Sequence, residues 1–271
     1  MFNFDSTNGV RGGYDGNNYA VKVTFTTFLV VALYNSIELV ILIFSTFKHY
    51  RGLYFWSLML SVVLGVIPQA VSFILKYYSL APLWFTLTFS TIGWYFMVTG
   101  QAVVLYSRLN LVLHNPKVLH RVLVMIVFNA ICLHIPTTVL TYGSNFSTKP
   151  AYINGYGVME RIQLVGFTLQ EFIISGLYIL ETVKMFRLDM QTYDQTHRTT
   201  NILYQLIGIN VLIILLDIVL LTVEFLNLFV IQTTLKPMVY SIKLKLELAV
   251  LGRLVVLVRS HRLSSSGIST V

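Results

Sequence analysis

ILYQLIGINVLIILLDIVLLTVEFL occupies residues 202–226, and this stretch decides the fold. Its only charged side chains are Asp217 and Glu224, and it is dominated by Leu, Ile and Val. The hydrocarbon core of a bilayer is about 30 Å thick, and about 20 residues of α-helix cross it. The stretch therefore predicts a transmembrane helix.

Six other apolar stretches of comparable length accompany this one. They are residues 23–44, 54–75, 83–106, 122–140, 162–185 and 237–258. Together the stretches predict an all-α fold, a seven-helix transmembrane bundle over residues 23–258. Residues 1–22 are then an extracellular N-terminal segment and residues 259–271 a cytosolic tail.

Composition excludes a water-soluble domain. Hydrophobic residues make up 56% of the chain, charged residues only 11%, and the mean hydropathy is +0.73, whereas soluble domains carry roughly 25% charged residues. The net charge of +8 comes from residues in the gaps between apolar stretches. This distribution indicates the membrane topology and does not indicate a surface that binds nucleic acid. We expect the lipid bilayer as a partner and no nucleic acid. Cys132 is the only cysteine, which excludes an intramolecular disulfide.

Lysine and arginine positions predict the orientation, because cytosolic loops carry an excess of both. Ten of these residues fall on one side and six on the other, which places the N-terminus outside and the C-terminus in the cytosol. The sequon at Asn145 predicts N-glycosylation in the longest outer loop, residues 141–160. The plasma membrane is the expected location, with an internal membrane as the alternative.

Ionisable residues inside spans are costly and usually functional. His134, Glu171, Asp217 and Lys243 fall in the outer half of four predicted spans, where they could line one pocket open to the outside. Glu247 follows Lys243 at i+4, a spacing that predicts an ion pair within the helix. These five are the candidate ligand-binding residues. The alternative is that the charges only pair with one another and hold the bundle together.

Arg108 is the candidate for contact with a cytosolic signalling protein. Tyr106-Ser107-Arg108 at the inner end of the third span resembles the acid–arginine–tyrosine triplet of many G-protein-coupled receptors. An arginine at this boundary also follows from the positive-inside rule. The last span lacks an Asn-Pro pair and the sixth lacks a proline, so the rest of that receptor pattern is missing.

No enzymatic pattern is present. His134 is the only histidine inside a span, whereas a zinc hydrolase needs two or three at ligand spacing, so we expect no metal, no catalytic residues and no cofactor. Lys243 on the last span is similar to the retinal-binding lysine of rhodopsins. The third span contains no acid to serve as its counter-ion.

Two stretches carry a family resemblance. LYSRLNLVL at residues 105–113, continued by NAICLHIPT at 129–137, and VYSIKLKLELAVLG at 239–252 resemble an uncharacterised family of fungal seven-transmembrane proteins described as rhodopsin-like or receptor-like. The resemblance implies an integral membrane protein with no assigned ligand. The matching positions are Arg108, Asn129, His134, Pro136, Lys243, Lys245 and Glu247.

Three functions remain open at this point. The first is a receptor-like protein that binds a small molecule outside and a signalling protein inside. The second is a transporter of small solutes or protons, which would need a polar path reaching the cytosolic side. The third is a membrane scaffold whose buried charges only pair with one another.

Overall fold

Seven long helices make up the described part of the protein. The computed structural model describes residues 19–47, 52–113, 115–147, 149–189, 196–226 and 229–266, except for the side chains of 185–189, 196–203 and 253–266. The helices are α1 Tyr19–Thr46, α2 Leu53–Tyr77, α3 Leu83–Val112, α4 Pro116–Phe146, α5 Pro150–Asp189, α6 Thr196–Phe225 and α7 Phe229–Ser266. The predicted all-helical fold is confirmed for these residues. Residues 1–18 and 267–271, within the predicted N-terminal segment and tail, lie outside them.

Five of the helices are long and apolar enough to cross a membrane, namely α1, α2, α4, most of α5 and most of α6. The protein is therefore a membrane protein. The other two helices, α3 and α7, are not among those that meet this criterion of length and composition.

The polar residues of α3 and α7 have protein neighbours because of the places of these two helices in the bundle. The seventh helix packs against α1, α2, α3 and α6, and α3 packs against α2, α4, α5 and α7. Because their side chains meet other helices on most sides, polar groups there find protein partners and do not face lipid.

An apolar stripe on α4 shows the opposite arrangement. Val124, Phe128, Ile131, Ile135 and Val139 recur at helical spacing and are all more than half exposed. Exposed apolar surface of this extent marks a membrane or protein contact. The stripe fits contact with the bilayer.

Close packing of α2 on α3 depends on two glycines. A Cβ on Gly65 would lie 2.7 Å from the Met97 backbone nitrogen, and one on Gly93 would lie 2.7 Å from that of Gln69. Small residues allow such close approach between membrane helices. Residues Ser61–Val66 of α2 form a π-helical segment that ends two residues before Pro68, whose ring is incompatible with a regular α-helix one turn earlier.

The helices are longer than the apolar stretches that predict them. The expected loop over residues 141–160 is wrong, because α4 continues to Phe146 and α5 begins at Pro150. Likewise α7 begins at Phe229, before the predicted Pro237, and continues to Ser266. Hydropathy records where apolar side chains stop, whereas the backbone hydrogen bonds of a helix continue beyond that point.

Candidate functional site

The seventh helix joins the bundle through four ionisable residues. Each forms an ion pair with a side chain on a neighbouring helix. The pairs are Lys236 with Glu160, Lys243 with Glu171 and Asp217, Lys245 with Glu38, and Glu247 with Arg108. Charges away from water must be paired to be tolerated, so these contacts constrain the position of α7.

Lys243 lies between two carboxylates, and we call Glu171, Asp217 and Lys243 the Lys243 triad. The Lys243 ammonium is 2.8 Å from Glu171 Oε2 on α5 and also bonds Asp217 Oδ1 on α6. It lies 4.8 Å from the centre of the Tyr240 ring. All three triad side chains are buried. The structure thus brings together three of the predicted ligand-binding residues, bonded to one another.

Arg108 on α3 is enclosed between three helices. Its guanidinium lies 2.8 Å from Glu247 Oε2 on α7, donates to Asn210 Oδ1 on α6 at 2.5 Å, and lies over the Tyr178 ring of α5 at 4.1 Å. Tyr54 donates its hydroxyl hydrogen to the Glu247 backbone oxygen. Arg108 and Glu247 are 0% exposed. The predicted coupling residue is therefore buried in this conformation.

The predicted ion pair between Lys243 and Glu247 is wrong. Lys243 points to α5 and α6, and Glu247 points to α3. An ion pair at i, i+4 stabilises a helix by only about 0.2–0.5 kcal/mol, so buried partners on other helices displace it. Lys245 points elsewhere, as predicted, and bonds Glu38 and Asn35 on α1 at the half-exposed side of the bundle.

His134 lies apart from the Lys243 triad. Its Nε2 is 2.9 Å from the Thr99 hydroxyl, and its ring contacts Trp94, Tyr95 and Phe167. It is buried, with Nδ1 lacking a hydrogen-bond partner. The structure shows no hydrogen bond or ion pair between His134 and the triad, and a pocket shared by them stays a prediction.

A polar cavity of about 70 Å³ lies instead where the ends of α2 and α4 meet the beginnings of α3, α5 and α7. Its lining includes Glu160, Gln163 and Lys236. Glu160 Oε1 accepts hydrogen bonds from Lys236 at 2.9 Å and from Gln232 at 3.2 Å. Lys76 of α2 also lines the cavity.

Two amide oxygens in the cavity wall lack partners. Gln163 Oε1 on α5 and Asn145 Oδ1 on α4 are buried, and no described group donates a hydrogen bond to either atom. Buried polar atoms are satisfied by protein, water or ligand in the great majority of cases. These oxygens are suited to accept hydrogen bonds from a molecule inside the cavity.

Asn145, the predicted glycosylation site, belongs to the last turn of α4. Its side-chain amide donates to the Thr141 backbone oxygen at 2.9 Å, and the residue is partly buried. Glycosylation there stays a prediction.

Sequence reasoning missed Glu160 and Lys236. Both fall just outside the apolar stretches and were therefore assigned to outer connections. Their opposite charges offered a signal, but only knowledge that α5 and α7 extend past those stretches would have placed the two residues against each other.

Further unpartnered polar atoms lie deeper in the bundle. Both side-chain polar atoms of Gln101 on α3, the Ser175 hydroxyl on α5 and Asp217 Oδ2 on α6 are buried without a hydrogen-bond partner. Gln101 precedes Arg108 by two helical turns, and Ser175 lies between Glu171 and Tyr178 on one face of α5. Buried polar atoms with unused hydrogen-bonding capacity therefore continue from the triad toward Arg108. Within the described part of the chain, no group of three or more His, Cys, Asp or Glu side chains could hold a metal ion.

Fold and site together define a helical membrane protein with a charged interior. Residues 17–268 match the family model described as a domain of unknown function, DUF7703. The match covers nearly the whole chain, and the chain belongs to this family. No curated protein and no solved structure matches it.

Proposed function

We propose that this is a receptor-like protein of the plasma membrane that crosses the bilayer seven times, with its N-terminus outside. In this arrangement α3 and α7 are the inner spans, which pack against the other helices of the bundle. The excess of basic residues on the C-terminal side supports the orientation. The resemblance to fungal seven-transmembrane proteins described as receptor-like supports the class.

The ligand of this receptor is a small polar molecule held in the cavity between α2, α3, α4, α5 and α7. The observation that carries the proposal is the unpartnered Gln163 Oε1 in the cavity wall, next to the Lys236–Glu160 pair. A cavity of about 70 Å³ is smaller than the roughly 150 Å³ that accommodates benzene in an engineered protein core. The ligand is correspondingly small and donates hydrogen bonds.

The seventh helix couples this cavity to Arg108. Lys236 lines the cavity and Glu247 bonds Arg108; the two residues are about 16 Å apart along the helix axis at 1.5 Å per residue. A ligand that binds more tightly when Lys236 leaves Glu160 would favour a different position of α7. Movement of Glu247 would then release Arg108 toward a cytosolic signalling protein.

Ligand binding is tested by thermal unfolding of the purified protein in lipid nanodiscs, with a panel of short amines, amides and amino acids. A ligand should raise the unfolding temperature of the wild type but not that of Gln163→Leu. Gln205→Leu, at an exposed position on α6, is the matched control and should keep the effect. A ligand effect that survives Gln163→Leu would contradict the cavity as the binding site.

Coupling is tested with the paired variant Arg108→Met and Glu247→Leu, which removes both buried charges together. We expect it to reach the cell surface at wild-type level and to lose cross-linking to its cytosolic partner in intact cells. Normal surface level with unchanged cross-linking would contradict the role of Arg108. Failure of ligand binding and of coupling together would favour the scaffold function.

A transporter of small solutes or protons is the second candidate. The observation that favours it is the series of buried, unpartnered polar atoms at Gln101, Ser175 and Asp217, between the cavity end and Arg108. Such atoms could hold a chain of water molecules. Flux of a cavity ligand or of protons into proteoliposomes, lost in Gln101→Leu, would support transport over signalling.

A further inference from the structure

The Lys243 triad contains one more acid than base. Glu171, Asp217 and Lys243 are 3%, 3% and 0% exposed, and the ammonium bonds both carboxyl groups. The two carboxyl groups also lie close enough to interact directly. If all three groups were ionised, the triad would carry a net charge of −1 in a site without access to solvent.

No neighbouring group among the described residues balances that charge. On α3 and α7, Arg108 is already matched by Glu247 in a one-to-one pair. On α1 and α7, Glu38 and Lys245 form a second one-to-one pair. The remaining titratable group in contact with Lys243 is the Tyr240 phenol of α7, which is neutral when protonated. The cluster of these residues therefore has four carboxyl groups and three cations.

An uncompensated charge in such a site costs several kcal/mol or more and is normally removed by proton binding. Two carboxyl groups that share one buried site do not both ionise, and one proton remains between them. Asp217 Oδ1 bonds Lys243, while Asp217 Oδ2 is buried without a hydrogen-bond partner. That oxygen offers a place for the proton.

We propose that Glu171 and Asp217 together form a binding site for one exchangeable proton, with Lys243 remaining positively charged. In the loaded state one carboxyl group carries an O–H bond and the other is a carboxylate, so the triad is neutral. When the site opens, the O–H bond breaks, the proton passes to water and the electron pair stays on the carboxylate. The triad then carries a charge of −1, which favours conformations that admit water or a cation. This proton site is separate from the polar cavity. The proposal applies to a receptor and to a transporter alike.

Infrared spectroscopy of the purified full chain in lipid tests the proposal, since a protonated carboxylic acid has a C=O stretch separate from that of a carboxylate. We expect the wild type at neutral pH to show this band, with a shift in heavy water and a loss at alkaline pH. Glu171→Gln and Asp217→Asn should each remove the band, because a single carboxylate then faces Lys243.

Glu38→Gln is the matched control, since Glu38 belongs to the one-to-one pair with Lys245. It should leave the band unchanged. Lys243→Met should increase the band, because two carboxyl groups without a cation both take up protons. A wild type without the band, or a band that persists in both Glu171→Gln and Asp217→Asn, would overturn the proposal. If one of these two variants fails to fold, the other still decides.

Discussion

Arg108 and Glu247 form an ion pair of 2.8 Å in which neither side chain has any exposed surface. The residues lie on α3 and α7, and 139 positions separate them in the sequence. Asn210 and Tyr178 complete the surroundings of the guanidinium from α6 and α5. One arginine thus ties four helices together.

Removal of one partner of this pair should be far more damaging than removal of both. Arg108→Met should lower the free energy of unfolding by about 3–5 kcal/mol, because Glu247 would remain buried without a counter-charge. The paired variant with Glu247→Leu should recover most of that loss. Unfolding by SDS titration in mixed micelles measures both. A paired variant as unstable as Arg108→Met would contradict the interpretation.

Gly65, at the contact of α2 and α3, should not tolerate a larger side chain. Gly65→Ala should destabilise the protein by about 1–3 kcal/mol, as overpacking does, because its Cβ would meet the Met97 backbone at 2.7 Å. Thermal unfolding followed by tryptophan fluorescence measures the loss.

Gly176 on α5 provides the control for this substitution. No atom lies within 4 Å of its Cβ position, so Gly176→Ala should gain up to about 1 kcal/mol from helix propensity. Equal effects of the two substitutions would show that close packing does not decide the outcome at Gly65.

The number of helices in the described part of the chain could be predicted from the sequence, because a run of about 20 apolar residues has few alternatives to a transmembrane helix. Residues 202–226 illustrate this, since the described helix α6 ends at Phe225. Two charged residues of α7 were also identified correctly as interior groups. Lys243 and Glu247 are both 0% exposed.

The sequence did not reveal which charged residues form ion pairs with each other. The spacing of Lys243 and Glu247 favours a local pair, yet each bonds a residue on another helix. Helix packing decides between such options, and one sequence does not reveal which helices are neighbours. His134 illustrates the same limit, because its depth resembled that of the triad while its ring lies among Trp94, Tyr95 and Phe167.

The triad should respond differently to the loss of its base and the loss of one acid. Lys243→Met leaves Glu171 and Asp217 without a cation, whereas Asp217→Asn leaves Lys243 and Glu171 as a matched pair. We therefore expect Lys243→Met to be the more destabilising change. Its deficit should shrink as the pH falls, because the two carboxyl groups left without a cation take up protons on folding, and this uptake costs less free energy at lower pH. Unfolding temperatures of the two variants across a pH series check the order, and a greater loss in Asp217→Asn would contradict it.

Single-cysteine labelling should establish the orientation, since Cys132 is the only native cysteine. In a Cys132→Ser background, Lys149→Cys and Lys117→Cys introduce thiols at exposed positions at opposite ends of α4. With the N-terminus outside, a membrane-impermeant maleimide should label Lys149→Cys in intact cells and Lys117→Cys only after permeabilisation. The reverse pattern would place the polar cavity on the cytosolic side and Arg108 toward the outside. Because the two positions lie at opposite ends of α4, equal labelling of both in intact cells would mean that α4 does not cross the membrane.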